Sequence, residues 1–270
     1  MIGQERLFNR LQKLAIINKF PHFVIFVGPA GSGKKTLAGY IHKWLDNSVY
    51  TVRGITVDDV RQLIKDCNKL SGTTNICLIP DADSMSVQAK NALLKIAEEP
   101  PKDTYIIMTL EDINNTLETI KSRATVFMLD PYTVPQLVEY AQLKHYDNID
   151  IIKDVCDTPG EVDMLCSYDV EEFNNFVKKT VNHIAGANGA NAFKLAEKLK
   201  TKDDKDGYDM KLFFKMFMKI CNDVYLQTND RKFLQGVLVT STYLKDLRIK
   251  GISKQGVIDL WILDIRKEWM

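Results

Sequence analysis

A glycine-rich run at residues 28–34 (G-P-A-G-S-G-K) constrains this chain more than any other feature of its sequence. A short apolar, β-branched run at 22–27 precedes it, and a helical repeat of apolar residues over 34–45 follows it. Glycines between a strand and a helix let backbone N–H groups surround phosphate oxygens, and the start of the helix adds the positive end of its dipole. The sequence therefore predicts a phosphate-binding loop, whose nucleotide-binding residues are Gly28, Gly31, Ser32, Gly33, Lys34, Lys35 and Thr36.

The residue after Lys34 departs from the usual form of such a loop. Ser or Thr normally stands there and its hydroxyl coordinates Mg²⁺, but this chain has Lys35, and Thr36 comes one position too late. A second metal ligand is expected from a carboxylate at the end of a later strand, where Asp81 and Asp83 follow the apolar run at 75–80. Capping of the next helix or turn is a nearly equal alternative for these two aspartates.

Strands alternate with helices through the first half of the chain. Strands are predicted at 22–27, 75–80, 105–109 and 126–129, and helices at 5–18, 34–45, 59–70 and 87–99. The stretch 46–57 is interpreted only as a link between two helices. This alternation predicts an α/β fold with a parallel sheet, in which ligands bind at the carboxyl ends of the strands.

Helical patterns replace strands after Pro131. The predicted domains are residues 1–130, 131–168 and 169–270. The hydrophilic segment 201–208 is predicted to be a solvated loop. The following helix carries a broad apolar face between Met210 and Tyr225, for which core packing is favoured over a partner-binding groove.

Composition excludes several classes of protein. The 36 Lys and Arg residues against 35 Asp and Glu leave a net charge of +1, which lacks the basic excess of an autonomous nucleic-acid binder. The five cysteines contain no C-x-x-C pair and the four histidines have no ligand spacing, so no metal site and no zinc are expected. No apolar run reaches the roughly 20 residues of a membrane span, and the expected compartment is the cytoplasm.

Several separated motifs resemble those of AAA+ clamp-loader subunits, most closely the delta-prime type of bacterial DNA polymerase III. They are I-G-Q-E at 2–5, P-H-F-V-I-F-V-G-P at 21–29, D-A-D-S-M at 81–85, N-A-L-L-K-I-A-E-E-P-P at 91–101, S-R-A at 122–124 and T-P-G at 158–160. The segment from 81 to 101 is the most specific. The resemblance covers residues 1 to about 166 and implies an AAA+ P-loop domain, a small helical lid domain and a helical, collar-like C-terminal domain.

The resemblance also implies a set of site residues, several of which depart from the family's pattern. In the acidic box, Asp81 stands at the glutamate that activates water, and Pro80 stands at the magnesium-binding aspartate. Asp112 stands at the sensor-1 asparagine, and Glu161 stands close to the sensor-2 arginine. Arg123 resembles the arginine finger that acts in trans on a neighbouring subunit's ATP, although an arginine that merely ends a helix is the plain alternative.

The function that the resemblance implies is that of a non-hydrolysing, delta-prime-like subunit of a sliding-clamp loader in DNA replication. Its expected partners are the other subunits of a hetero-pentamer, the sliding clamp and, mainly through the complex, primer-template DNA. Lys90 and Lys95 are candidate direct contacts, and solvated lysines on a helix are an equal alternative for both. ATP or ADP is the expected ligand, without proper magnesium ligands, and the family's four-cysteine zinc module has no counterpart at 46–57. An active ATPase of the same family and, more remotely, a small-molecule kinase are the alternatives.

Overall fold

The computed structural model describes residues 1–45, 48–69, 73–186, 199, 207–247 and 253–269. Their contacts divide the chain into two compact units. The first comprises residues 1–136 together with 158–160, and the second comprises 137–157 and 161–270. The predicted division into three domains stays a prediction, and most of the predicted solvated loop, residues 201–206, lies outside the described residues.

A parallel sheet forms the centre of the first unit. Its strands are β1 (Phe23–Val27), β2 (Ser48–Val52), β3 (Thr74–Ile79), β4 (Thr104–Leu110) and β5 (Thr125–Met128). Within the described residues the spatial order is β2-β3-β4-β1-β5, and each pairing is parallel. The predicted parallel α/β architecture is confirmed.

Helices cover both faces of this sheet. They are α1 (Glu5–Ile16), α2 (Lys34–Trp44), α3 (Val57–Lys69), α4 (Val87–Glu98), the short α5 (Glu118–Lys121) and the first residues of α6 (Val134–Leu143). Every residue of β1 is buried, and alternate side chains enter different cores because side chains alternate across a strand. Phe23, Ile25 and Val27 pack with α3 and α4, whereas Val24 and Phe26 pack with α1 and α2.

The second strand corrects the interpretation of 46–57 as a mere link. Residues Ser48–Val52 pair with β3 at the edge of the sheet and are only partly covered. Their side chains, including Val49 and Tyr50, have strong strand propensity, but the segment is short and lacks the buried apolar run that identifies the central strands. Periodicity therefore gave a weaker signal here than elsewhere in the sheet.

The second unit is helical in its described part. Its helices are the rest of α6, α7 (Ile149–Val155), α8 (Pro159–Cys166) from its third residue onward, α9 (Val170–Ala185), α10 (Met210–Thr228), α11 (Arg231–Asp246) and α12 (Lys254–Trp269). The aromatic rings of Phe213, Phe214 and Phe217 surround the fully buried Trp261, with centroid separations of 4.8–5.6 Å. The core role predicted for the apolar face of α10 is confirmed. No helix in the described part of the chain has the length and apolar character needed to cross a membrane.

One buried hydrogen bond joins α11 to α12. The indole Nε1–H of Trp261 donates to Thr240 Oγ1 at 2.9 Å, and that hydroxyl donates to the carbonyl of Gly236 at 2.7 Å. Both Trp261 and Thr240 are fully buried. The indole N–H therefore depends on the Thr240 hydroxyl as its acceptor.

We expect Thr240→Val to lower the free energy of unfolding by about 1–3 kcal/mol, because it leaves the buried indole N–H without an acceptor. Urea unfolding followed by tryptophan fluorescence measures the loss. Thr240→Ser keeps the hydroxyl and serves as the control, and equal losses in both variants would contradict the importance of this hydrogen bond.

Candidate functional site

The loop between β1 and α2 has the backbone conformation of a phosphate-binding loop. Gly31 and Gly33 have φ angles of +76° and +92°, which residues other than glycine rarely adopt. Gly33 is the N-cap of α2. The amide of Gly28 donates to the carbonyl of Leu110 at the end of β4, at 3.1 Å. The loop thus begins where the parallel strands end, at what is here called the carboxyl edge of the sheet, and the fold predicts a ligand there. The amino edge is the side on which the strands begin.

Lys34 points back into this loop. Its Nζ donates to the carbonyl oxygens of Gly28 and Pro29, each at 2.7 Å, and the residue is 6 % exposed. Burial lowers the pKa of Lys34, and the negative charges of Glu111 and the two acidic-box aspartates offset only part of that effect.

A buried polar atom of the loop supports phosphate as its ligand. Ser32 is 1 % exposed, and its hydroxyl makes no hydrogen bond within the described part of the chain. The carbonyl of the same residue accepts a hydrogen bond from the Tyr132 hydroxyl at 2.9 Å. A free hydroxyl next to the N-terminus of α2 fits a phosphate oxygen.

The residues at the expected cation position do not fit Mg²⁺. The ammonium group of Lys35 lies 2.8 Å from Asp81 Oδ2 and forms an ion pair with it. The backbone of Asp81 is fixed in the left-handed region at φ +53°, and its amide donates to the buried hydroxyl of Thr109 at 2.9 Å. The carboxylate therefore pairs with a positive charge of the protein itself. Thr36 is exposed on the next position of α2.

Asp83 has a structural role. Its carboxylate accepts hydrogen bonds from the amides of Glu111 (2.8 Å) and Asp112 (3.2 Å) and from the side chain of Asn115 (2.9 Å). Burial alone would raise the pKa of Asp83, but these donors, first among them the Asn115 amide, hold it below its usual value. Asp83 thereby joins the turn after β3 to the turn after β4.

The residue that acts on Lys34 from the turn after β4 is Glu111, which the sequence reasoning did not single out. Among the carboxylates that raise the pKa of Lys34 against the effect of burial, Glu111 has the largest effect. Asp112, the sensor-like residue, instead accepts a hydrogen bond from the amide of Asn114 at 2.9 Å and caps a short 3-10 turn. A sensor role for Asp112 stays a prediction.

The T-P-G turn at 158–160 packs directly against the phosphate-binding loop. The amide of Gly160 donates to the carbonyl of Gly31 at 3.0 Å. A side chain on Gly31 would approach Thr158 Oγ1 to 2.7 Å and the Gly160 Cα to 2.8 Å, so both glycines are required by close backbone contact. The motif that resembles the lid turn is thus joined to the loop within the first unit.

Arg123 lies at the opposite edge of the sheet from the phosphate-binding loop. It follows α5 and comes two residues before β5, whose first residue, Thr125, is in register with Val24 at the beginning of β1. The loop, in contrast, follows the end of β1. The five residues of β1 place roughly 15 Å between the two edges. Arg123 and the loop of the same chain therefore do not form one site.

The two lysines considered for DNA contact differ in exposure. Lys90 is 8 % exposed, and its Nζ donates to the carbonyl of Asn115. The expected phosphate contact at Lys90 is therefore corrected, because its ammonium group binds the protein's own backbone beneath the surface. Lys95 is exposed on α4, and its contact with DNA stays a prediction.

Glu161 belongs to a buried charge cluster in the second unit. The side chain ammonium groups of Lys215 and Lys211 lie 2.6 Å and 2.5 Å from its carboxylate oxygens. Burial would raise the pKa of Glu161, but these two lysines lower it overall. No sequence pattern indicates this pairing, because the partners lie about 50 residues away.

Comparisons with known proteins agree with the family that the motifs resemble. Residues 46–133 match the family described as DNA polymerase III, delta subunit. A replication factor C small subunit of Natronomonas pharaonis is 31% identical over 144 residues, which is 48% of this chain and 43% of that protein. DNA polymerase III subunit tau of Bacillus subtilis is 29% identical over 157 residues, which is 47% of this chain and 28% of that protein. The chain spans less than half the length of these curated relatives.

Solved structures establish the fold. A DNA polymerase III gamma subunit-related protein of Thermotoga maritima superimposes with a TM-score of 0.51 at 14% identity, covering 99% of this chain and 100% of that one. A RuvB variant of the same organism gives a TM-score of 0.50 at 18% identity, covering 83% of this chain and 77% of that one. The chain therefore shares the fold of these proteins, a parallel α/β sheet domain with a phosphate-binding loop, followed by a helical C-terminal region.

We expect Asp83→Asn to lower the free energy of unfolding by about 1–2 kcal/mol at pH 7, because a neutral amide cannot replace the charged acceptor of three hydrogen bonds. The pKa of Asp83 is lower in the folded state, so its contribution is present above about pH 4 and is lost as the pH falls through the folded pKa. Urea unfolding at pH 7 and pH 3 measures both effects.

Asp81→Asn is the matched control for this prediction. Asp81 is 61% exposed in its side chain, and its ion pair with Lys35 is worth less than about 1 kcal/mol. A loss for Asp81→Asn as large as that for Asp83→Asn, or a loss for Asp83→Asn that is independent of pH, would contradict the separation of roles.

Proposed function

We propose that this chain is a non-hydrolysing, delta-prime-like subunit of a sliding-clamp loader in DNA replication. In this proposal it acts in the cytoplasm within a hetero-pentamer of loader subunits, engages the sliding clamp, and meets primer-template DNA mainly through the complex. The names of its relatives, replication factor C small subunit and DNA polymerase III subunit tau, support this class of partners.

The observation that carries the absence of hydrolysis is the ion pair of Lys35 with Asp81. Phosphoryl transfer in P-loop proteins depends on a magnesium ion held by a hydroxyl at the position of Lys35 and by a carboxylate. Here the ammonium group of Lys35 takes the hydroxyl's place and pairs with the nearby carboxylate. An ammonium group carries one positive charge and cannot coordinate ligands. It therefore cannot replace a divalent ion that bridges the β- and γ-phosphates.

The phosphate-binding loop remains suited to a nucleotide phosphate. The unbonded Ser32 hydroxyl, the left-handed Gly31 and Gly33, and the N-terminus of α2 support ATP or ADP as a ligand that binds without a metal ion. In this proposal Asp112 retains a sensor-like position and Lys95 approaches the DNA backbone, in addition to the contacts of the complex.

The position of Arg123 supports a finger that acts on a neighbouring subunit. The residue lies at the amino edge of the sheet, away from its own phosphate-binding loop, so a contact with nucleotide has to be made in another chain. Its side chain is 35% exposed. An arginine that reaches a transferring phosphoryl group from a neighbour stabilises its charge.

We expect the isolated chain to release no phosphate from ATP and to bind ATP, where it does so, with the same affinity in Mg²⁺ and in EDTA. Calorimetric titration and a phosphate-release assay measure these two properties. Lys34→Ala is the control variant. Magnesium-dependent binding with a turnover that Lys34→Ala abolishes would establish the active-ATPase alternative and refute the proposal.

We expect Arg123→Ala to leave the chain folded and assembled, but to slow phosphate release from the neighbouring subunit's site by about 10³-fold, since fingers acting in trans contribute at least that much. Single-turnover hydrolysis by the loader reconstituted with its partner subunits measures the rate. Arg53→Ala, which removes an arginine that pairs with Asp66 elsewhere in the first unit, is the control. Unchanged release by Arg123→Ala would refute the finger.

A further inference from the structure

Glu98, the last residue of α4, stands in an electrostatically unfavourable place. The C-terminal end of a helix carries partial negative charge and favours cations rather than carboxylates. Two prolines, Pro100 and Pro101, end the helix just beyond it, so its position relative to the sheet is fixed. A carboxylate held at such a place needs a compensating partner.

The partner is Arg123. Its Nη2 lies 2.6 Å from Glu98 Oε1, while its Nη1 donates to the carbonyl of Thr119 at 2.8 Å and to the hydroxyl of Ser122 at 3.3 Å. The first of these contacts comes from the end of α4, the second from α5, and the third from Ser122, the C-cap residue of α5. The guanidinium group is thus held between two helices.

Enough of the guanidinium group remains for a ligand. It has five N–H donors, and the contacts found in the described part of the chain use three of them. The side chains of Arg123 and Glu98 are 35% and 51% exposed, so the pair lies at the surface. A pair at the surface contributes little to stability, and its value lies in the direction that it gives to the arginine.

We propose that Glu98 is a positioning residue that orients Arg123 toward the nucleotide of the neighbouring subunit. This inference rests on the proposed function. An arginine side chain has several rotatable bonds, and a carboxylate that holds one end of its planar head restricts them before the neighbour arrives. Groups that are aligned before the reaction need no reorganisation at the moment when charge develops.

Glu99 provides a matched control. It follows Glu98 directly, is exposed and carries the same charge, and no cation lies within ion-pair distance of it among the described residues. Replacing either glutamate changes the net charge equally. Only Glu98→Ala removes a contact of Arg123.

The test uses the loader reconstituted with its partner subunits, and single-turnover phosphate release over a range of ATP concentrations. We expect Glu98→Ala to lower the maximal rate by about tenfold, within the range that a misplaced catalytic group costs, without a change in the half-saturating ATP concentration. Glu98→Gln, whose amide oxygen still accepts a hydrogen bond, restores part of the rate. Glu99→Ala leaves it unchanged.

The double variant Glu98→Ala, Arg123→Ala decides whether Glu98 acts through the arginine. We expect it to be no slower than Arg123→Ala alone. A rate for Glu98→Ala equal to that of the wild type, or higher than it, would overturn the positioning role while the loss in Arg123→Ala leaves the finger intact. If Arg123→Ala itself has no effect, the proposed function fails and this inference fails with it.

Discussion

The burial of β1 between two hydrophobic cores is the constraint on which the rest of the first unit depends. All five of its side chains are buried, and it pairs with β4 on one side and β5 on the other. Because the sheet is parallel, everything that follows a strand lies at one edge and everything that precedes a strand lies at the other. The phosphate-binding loop and Arg123 are separated by this rule alone.

Periodicity and glycine placement predicted most of this architecture. The central strands, their helices and the loop at 28–34 lie where the apolar patterns put them, because buried elements leave strong signals in a sequence. The edge strand β2 was missed because half-exposed residues leave only a weak apolar pattern in the sequence. Ser86 caps α4 by accepting a hydrogen bond from the amide of Ala89, a local interaction of the kind that a sequence pattern can indicate.

The roles of charged residues were harder to predict, since they depend on neighbours distant in the chain. Asp81 and Asp83 stand two positions apart, yet one faces Lys35 and the other accepts bonds from residues about 30 positions away. Lys90 was expected at the surface, but its ammonium group binds the backbone of a turn 25 residues later. Sequence spacing locates such residues on an element and leaves their partners undetermined.

The separation of the two edges agrees with the proposed function, in which the chain hydrolyses no ATP of its own and supplies an arginine finger to its neighbour. The Lys35–Asp81 pair changes the charge at the carboxyl edge, whereas the Glu98–Arg123 pair lies at the amino edge and shares no residue with it. Interactions between exposed charges that far apart are largely screened at physiological ionic strength. A substitution at the loop's cation position therefore leaves the contacts of Arg123 intact, and in the proposed loader such a chain serves its neighbour's chemistry without performing its own.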